Sequence, residues 1–205
     1  MALVKEVVRS LESLVGEIRD RPCSGAVRLV AVDGRAGAGK STLARALVAT
    51  CGAPLIRVDD FLYWRDINGW WPRLEHEALR PLLGGSPARF RVRDWTGDET
   101  GQGLDGWKEV TPADIVVVEG VTSSRRAIAD DLAMSFWVDT STEERLRRGI
   151  ARDGEEKRQL WIEWMALEDD FFDRDGAQAR ADYIVWGQPA RPYDRATEVV
   201  ILQQG

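Results

Sequence analysis

The sequence is poor in the residues that build metal centres and disulfide frameworks. It has one histidine, His76, and two cysteines, Cys23 and Cys51. Two thiols make no framework, and with His76 they supply no common zinc-ligand spacing. Free, inert thiols in a reducing cytoplasm are the expectation. Lysine is scarce as well: of 28 basic residues only Lys5, Lys40, Lys108 and Lys157 are lysines. No apolar run approaches the ~20 residues that span a bilayer, so a helical membrane protein is excluded. The first residues lack the basic segment, apolar core and small-residue cleavage site of a secretory signal, and the expected location is cytoplasmic. The net charge is −6. An acidic chain argues against a general nucleic-acid partner, which would need a basic face.

What is present describes one globular domain. The chain has 205 residues, 44% hydrophobic and 30% charged. That length buries enough surface to fold without staples. Apolar residues at Leu3, Val4, Val7, Val8, Leu11, Leu14, Val15 and Ile18 have helical spacing, which predicts an N-terminal helix over 1–20. Apolar, β-branched runs at 27–32, 55–58, 115–118, 134–138 and 181–186 predict buried strands, with a further strand at 198–202. Helical patterns at 41–50, 74–83, 123–132, 143–152 and 157–173 alternate with them. A short strand is expected at 90–93, and 94–112 reads as a loop. Alternating strands and helices predict an α/β fold, a parallel sheet with helices on both faces. Asp33, Asp59, Glu119 and Asp139 then fall at C-terminal strand ends, the edge where such sheets bind ligands.

The most specific signal is Gly34-Arg35-Ala36-Gly37-Ala38-Gly39-Lys40-Ser41, which matches G-x-x-x-x-G-K-[ST] between a predicted strand and a predicted helix. The glycines allow successive N–H groups to point at phosphate oxygens. The following helix adds the positive end of its dipole. Lys40 reaches the β- and γ-phosphates, and the Ser41 hydroxyl ligates Mg²⁺. Residues 34–41, with Thr42 after them, are the expected nucleotide-binding residues. A guanine-reading N-K-x-D motif is absent, because the single asparagine, Asn68, precedes glycine. A small-molecule kinase is the leading class that remains.

Further pieces follow in order: Val58-Asp59-Asp60-Phe61, then 112–120 ending in Val118-Glu119-Gly120, then Trp137-Val138-Asp139-Thr140, Arg145-Leu146-Arg147-Arg148 and Arg152-Asp153. With the phosphate loop they resemble the uridine kinase, phosphoribulokinase and pantothenate kinase group of P-loop kinases over most of residues 27–186. The resemblance implies a P-loop kinase fold in one domain over 1–205. It has a substrate-binding insertion at about 61–112 and a lid at about 143–158. It implies ATP and Mg²⁺ as cofactors and a small-molecule hydroxyl as acceptor. Asp59 is implied to be the general base, with Asp60 in a turn or capping role. Glu119 is implied to hold Mg²⁺ or its water. Arg145 and Arg148 are implied to clamp the transferring phosphoryl group, with Arg152 the weaker candidate. The base of the nucleotide is implied to lie near 187–192.

The acceptor region departs from that pattern. Nucleoside kinases of the group carry Tyr-Asp-Phe and a downstream histidine. Here Arg93-Asp94-Trp95 is followed by Thr96-Gly97-Asp98-Glu99, and Trp70-Trp71-Pro72 replaces Asp-His-Pro. Phe61, Tyr63, Trp64, Trp70, Trp71, Trp95 and Trp107 are interleaved with Arg65, Arg73, Arg89, Arg91 and Arg93. Arg93, Asp94 and Trp70 are the candidate substrate-binding residues. Arg91 and Arg93 would share a strand face, and a cation there suits an acceptor that also carries an anionic group. The alternative is an ATP-binding regulatory or scaffold protein without a dedicated acceptor. Oligomeric state is left open.

Overall fold

The computed structural model describes residues 4–23, 25–63, 66–95 and 103–204. Trp64, Arg65 and the segment 96–99 quoted above lie outside the described residues. The centre is a parallel sheet of β3 (Leu55–Arg57), β6 (Ile115–Glu119), β2 (Arg28–Asp33), β7 (Leu132–Asp139) and β8 (Tyr183–Trp186), in that spatial order. Two antiparallel strands, β9 (Glu198–Gln204) and β1 (Val4–Ser10), extend it beyond β8. Every residue of β6 is buried and β2 is nearly so. That is why these strands read as continuous β-branched runs and not as alternating ones.

Alternate residues of the strands feed two cores. Val30, Val32, Val117, Phe136 and Val138 face α1 (Leu11–Asp20) and α2 (Lys40–Cys51). Leu29, Val116, Val118 and Trp137 face the other layer. There they meet α6 (Arg158–Asp175), α7 (Ala177–Arg180) and a helical run made of α3 (Trp71–Leu74), a π-type turn Glu75–Leu79 and α4 (Arg80–Leu83). The π turn has a local cause. Pro81 has no N–H and its ring crowds the carbonyl four residues back. The helix widens just before it, so that the Arg80 N–H reaches the Glu75 carbonyl.

Two predicted elements are corrected. The helix expected over 1–20 is a strand to Ser10 and a helix only from Leu11. Ser10 is the N-cap, its Oγ accepting from the Ser13 amide. Val7 and Val8, whose spacing fits a helix, pair with Ile201 and Val200 of β9. Their β-branching suits that pairing better than a helix interior. The loop expected over 94–112 contains β5 (Leu104–Val110), which forms a hairpin with β4 (Ala88–Arg93). Four of its seven residues are exposed, so the strand leaves no apolar alternation to read.

Helix α5 (Thr142–Asp153) crosses α6 closely at Gly149, which faces the ring of Trp161. A Cβ at Gly149 would lie 2.6 Å from ring carbons of that buried tryptophan. Glycine to alanine inside a helix ordinarily stabilises by up to ~1 kcal/mol. Here overpacking at about 1–3 kcal/mol outweighs that gain. Gly149→Ala is therefore expected to lower the urea midpoint, and a raised midpoint in equilibrium unfolding would refute the close crossing.

Candidate active site

The phosphate loop links β2 to α2. Gly34, Gly37 and Gly39 have φ of 136°, 77° and 108°, values that disfavour any residue with a Cβ. Space is equally restrictive at Gly37, where a Cβ would lie 3.0 Å from the Arg145 Cα. The loop therefore sits directly on α5. Its carbonyls are held from outside: Thr140 Oγ1 donates to Ala38 O at 2.9 Å, and Arg148 Nη1 to Ala38 O at 3.3 Å and Gly37 O at 3.4 Å. Gly39 caps α2 without a side chain, so the first amides of the helix are open to an anion. Lys40 Nζ donates across the loop to Arg35 O at 3.0 Å.

Four strand-end acids converge here and are treated differently. Asp33 is fully buried and accepts four hydrogen bonds of 2.7–2.8 Å, from the amides of Gly34, Thr122 and Ser124 and from Ser124 Oγ. It is a structural clamp between the ends of β2 and β6. Glu119 Oε1 accepts from Ser41 Oγ at 3.0 Å. Burial raises the Glu119 pKa against the pull of Lys40, and Asp59 raises it further. Asp59 lies in the 3₁₀ turn Val58–Asp60. Desolvation by the surrounding protein raises its pKa, while Lys40 and Arg152 oppose the rise. It remains open to solvent at the cleft mouth. Among the described residues its carboxylate has no hydrogen-bond or ion-pair partner. Its neighbour Asp60 is occupied, 3.1 Å from Lys108 Nζ on β5. Asp139 ends β7 and lines a cavity with Arg145 and Asp169.

The lid arginines differ from the expectation. Arg145 is 2% exposed, with Nη1 3.5 Å from Glu168 Oε2 and Nη2 donating to Thr142 Oγ1. Burial lowers its pKa. Arg148 binds Glu144 and the Gly37, Ala38 and Gly187 carbonyls. The Arg148 guanidinium thus holds loop carbonyls, and that of Arg145 joins α5 to Glu168 of α6. Arg152 is the lid arginine whose charge reaches Asp59. It pairs with Asp153 and lies over the Trp161 ring, 5.5 Å from the centroid.

On the acceptor side Arg93 is buried, 4.8 Å from the Tyr63 ring centroid and 5.2 Å from that of Trp95. Trp95 Nε1 donates to the backbone carbonyl of Asp59 at 2.9 Å, which ties this cluster to the carboxylate. Arg91 does not share its face. A register shift between Arg91 and Arg93 leaves Arg91 exposed and bonded to the Asp105 and Leu104 carbonyls. Asp94 follows β4 and its amide donates to Gly103 O. Trp70, expected at the substrate pocket, is fully buried in the core beside Trp71 and under Arg125. Arg125 itself was not legible in the sequence. It is buried among Trp70, Trp71 and Phe171, and desolvation pushes its pKa down to about 10. On the other side of the loop a cavity of about 440 Å³ is lined by Gly39, Thr42, Arg148, Trp186, Gly187 and Tyr193.

A family model described as an AAA domain matches residues 30–170, from within β2 to within α6. The chain belongs to this family. No curated protein matches the sequence. Among solved structures, one described as a possible uridine kinase from Bacillus stearothermophilus aligns with a TM-score of 0.59 at 18% identity. It covers 85% of this chain and 96% of its own. A second, provisionally named a fructose transport system kinase from Silicibacter sp. TM1040, has a TM-score of 0.53 at 19% identity. It covers 84% of this chain and 88% of its own. The AAA-domain chain thus has the P-loop kinase fold of uridine kinase-like proteins, a mostly parallel sheet flanked by helices and a nucleotide-binding architecture.

The Asp33 clamp yields a direct test. In Asp33→Asn an amide NH₂ must face at least one of the four donors, leaving a buried group unsatisfied at about 1–3 kcal/mol. Chemical denaturation is expected to show a loss of about 2–4 kcal/mol. Unchanged stability would mean that the clamp contributes nothing.

Proposed function

We propose that this protein is a kinase that transfers the γ-phosphoryl group of ATP to a hydroxyl of a small molecule. The observation that carries the reading is the uncommitted carboxylate of Asp59, beside Lys40 and the Ser41–Glu119 pair. In this reading the loop amides and Lys40 bind the β- and γ-phosphates. Asp59 takes the proton of the acceptor hydroxyl as its oxygen bonds to phosphorus, and ADP leaves with the bridging oxygen. Lys40 stabilises the charge that grows on the phosphoryl oxygens, and Arg152 supplies the lid charge. The hydroxyl of Ser41 and the carboxylate of Glu119 are hard oxygen donors that fit Mg²⁺. Among the described residues no cluster of three His, Cys, Asp or Glu side chains is placed to hold a metal, as suits an ion that takes its remaining ligands from phosphates and water. Bound there, Mg²⁺ would neutralise phosphate charge. The cavity at Gly187 and Tyr193 suits the base of the nucleotide, and residues 61–112 form the acceptor side.

The acceptor in this reading carries an anionic group besides its hydroxyl. The cluster of Arg93 with Tyr63 and Trp95, tied to the Asp59 backbone, supports it: a planar cation stands next to the base. ADP release measured across nucleosides, hydroxy acids, sugars and sugar phosphates tests the whole proposal. Stimulation by a hydroxylated anion is the expected result. ATP bound without stimulation by any acceptor would favour a regulatory protein instead.

Two substitutions sharpen the test. Asp59→Asn is expected to lower kcat by about 10²-fold or more, with ATP affinity within a few-fold of wild type. Asp60→Asn should be milder, because Asp60 is engaged by Lys108. The opposite order would place the base at Asp60. Arg93→Ala is expected to raise the acceptor KM by about tenfold, as loss of a charge-assisted hydrogen bond would, and to leave ATP binding unchanged. An unaltered KM would remove the anionic group from the reading.

A further inference from the structure

Glu168, in the middle of α6, is a fully buried carboxyl group with no role in the chemistry above. Its Oε1 accepts from the Ala36 amide of the phosphate loop at 2.8 Å and from Trp164 Nε1 at 2.6 Å. Its Oε2 lies 3.5 Å from Arg145 Nη1, too far for a strong charge-assisted bond. Lys40 is the charge that most favours its ionised form. Arg145, the other charge acting on Glu168, itself feels Arg35, which pairs with Asp169 at 2.6 Å, and Asp139 at the end of β7. One carboxyl group therefore joins the lid-side helix α6 to the third residue of the phosphate loop, within the field of the phosphate-binding lysine.

We propose that Glu168 is a positioning residue of the phosphate loop whose carboxyl group takes up a proton when a nucleoside triphosphate is seated. The inference rests on the reading that this loop binds nucleotide. A polyphosphate brings several negative charges to Lys40. Glu168 then loses its main counter-charge and gains anionic neighbours in a dry setting, and both changes favour the neutral acid. Oε1 can keep its two N–H donors as the carbonyl oxygen, while Oε2, loosely held by Arg145, accepts the proton. A cavity of about 360 Å³ is lined by Arg145, the partner of Oε2, and by Asp169, the next residue along α6. Burial already pushes the Glu168 carboxyl up to about 7, so a further rise falls in a range where protons are exchanged near neutral pH. The sign follows from linkage. The bound state holds more protons, so affinity increases as pH falls.

Calorimetric titration of MgATP into the intact protein, without acceptor, in two buffers of different ionisation enthalpy counts the protons. Wild type is expected to take up about half a proton or more per nucleotide between pH 7 and 8, and to bind about fivefold more weakly at pH 8.5 than at pH 7. Glu168→Gln, nearly isosteric, should lose that uptake and bind with little pH dependence. Trp164→Phe removes one donor to Oε1 and should move the uptake window to higher pH, so the test stands even if Glu168→Gln does not fold. Binding heat without proton uptake in wild type, or the same uptake in Glu168→Gln, overturns the assignment. An absence of binding heat overturns the nucleotide reading itself, so the two failures are distinguishable.

Discussion

The buried carboxylate of Asp33 is the constraint on which the rest of the site depends. It closes the end of β2 onto the turn after β6, so the phosphate loop and Glu119 start from a common anchor. Four donors on one desolvated group make an arrangement that no neutral side chain of similar size reproduces. The strained backbone nearby follows from it. Thr122 sits at φ 67°, unusual for a β-branched residue, and its amide is one of the four donors to Asp33. The anchor is placed by the parallel sheet, whose two buried faces leave only the strand ends free to carry chemistry.

Charge is sorted around this anchor by whether it is already engaged. Asp60, Asp169, Glu144 and Arg148 are held in ion pairs. Such groups stiffen the lid and the insertion but have little left to offer a ligand. Asp59, among the described residues, has no such partner. Desolvation and the neighbouring Asp60 work against its ionised form, while Lys40 and Arg152 work for it, a balance that suits the proposed base. The arginines divide by position: Arg145 is buried and Arg148 bonds the loop carbonyls, whereas Arg152 is exposed and paired with Asp153.

The insertion couples aromatic packing to the cleft. Fully buried Phe61 and Phe90 pack at 4.7 Å between centroids, and Arg73 stacks on Phe61 at 5.2 Å. Above this base Tyr63, Arg93 and Trp95 form the layer nearest Asp59. Trp107, 60% exposed on β5 and stacked with Arg89 at 4.1 Å, belongs to the outer face of the hairpin. The tryptophans that look alike in sequence therefore do separate work: Trp70 and Trp137 pack the core, Trp95 borders the cleft, and Trp107 shields a surface cation.

The phosphate loop, the buried strands and the strand-end acids were legible in the sequence because their physics is local. A glycine at positive φ, a lysine before a helix and a run of β-branched residues each act through immediate neighbours. Tertiary structure decided what depended on distant partners. Val7 and Val8 fit a helix until β9 offers them a ladder almost 200 residues away. The strand at 104–110 exists through pairing with β4 and not through its own pattern. A register shift separates Arg91 from Arg93, which simple alternation would place together. Arg145 and Arg152 lie on one arginine-rich helix, and only the approach of α6 and the phosphate loop buries the first and leaves the second exposed. Glu168 lies 132 residues from the Ala36 amide it accepts. Burial and partner choice are properties of the packed chain, and no local pattern of residue types encodes them.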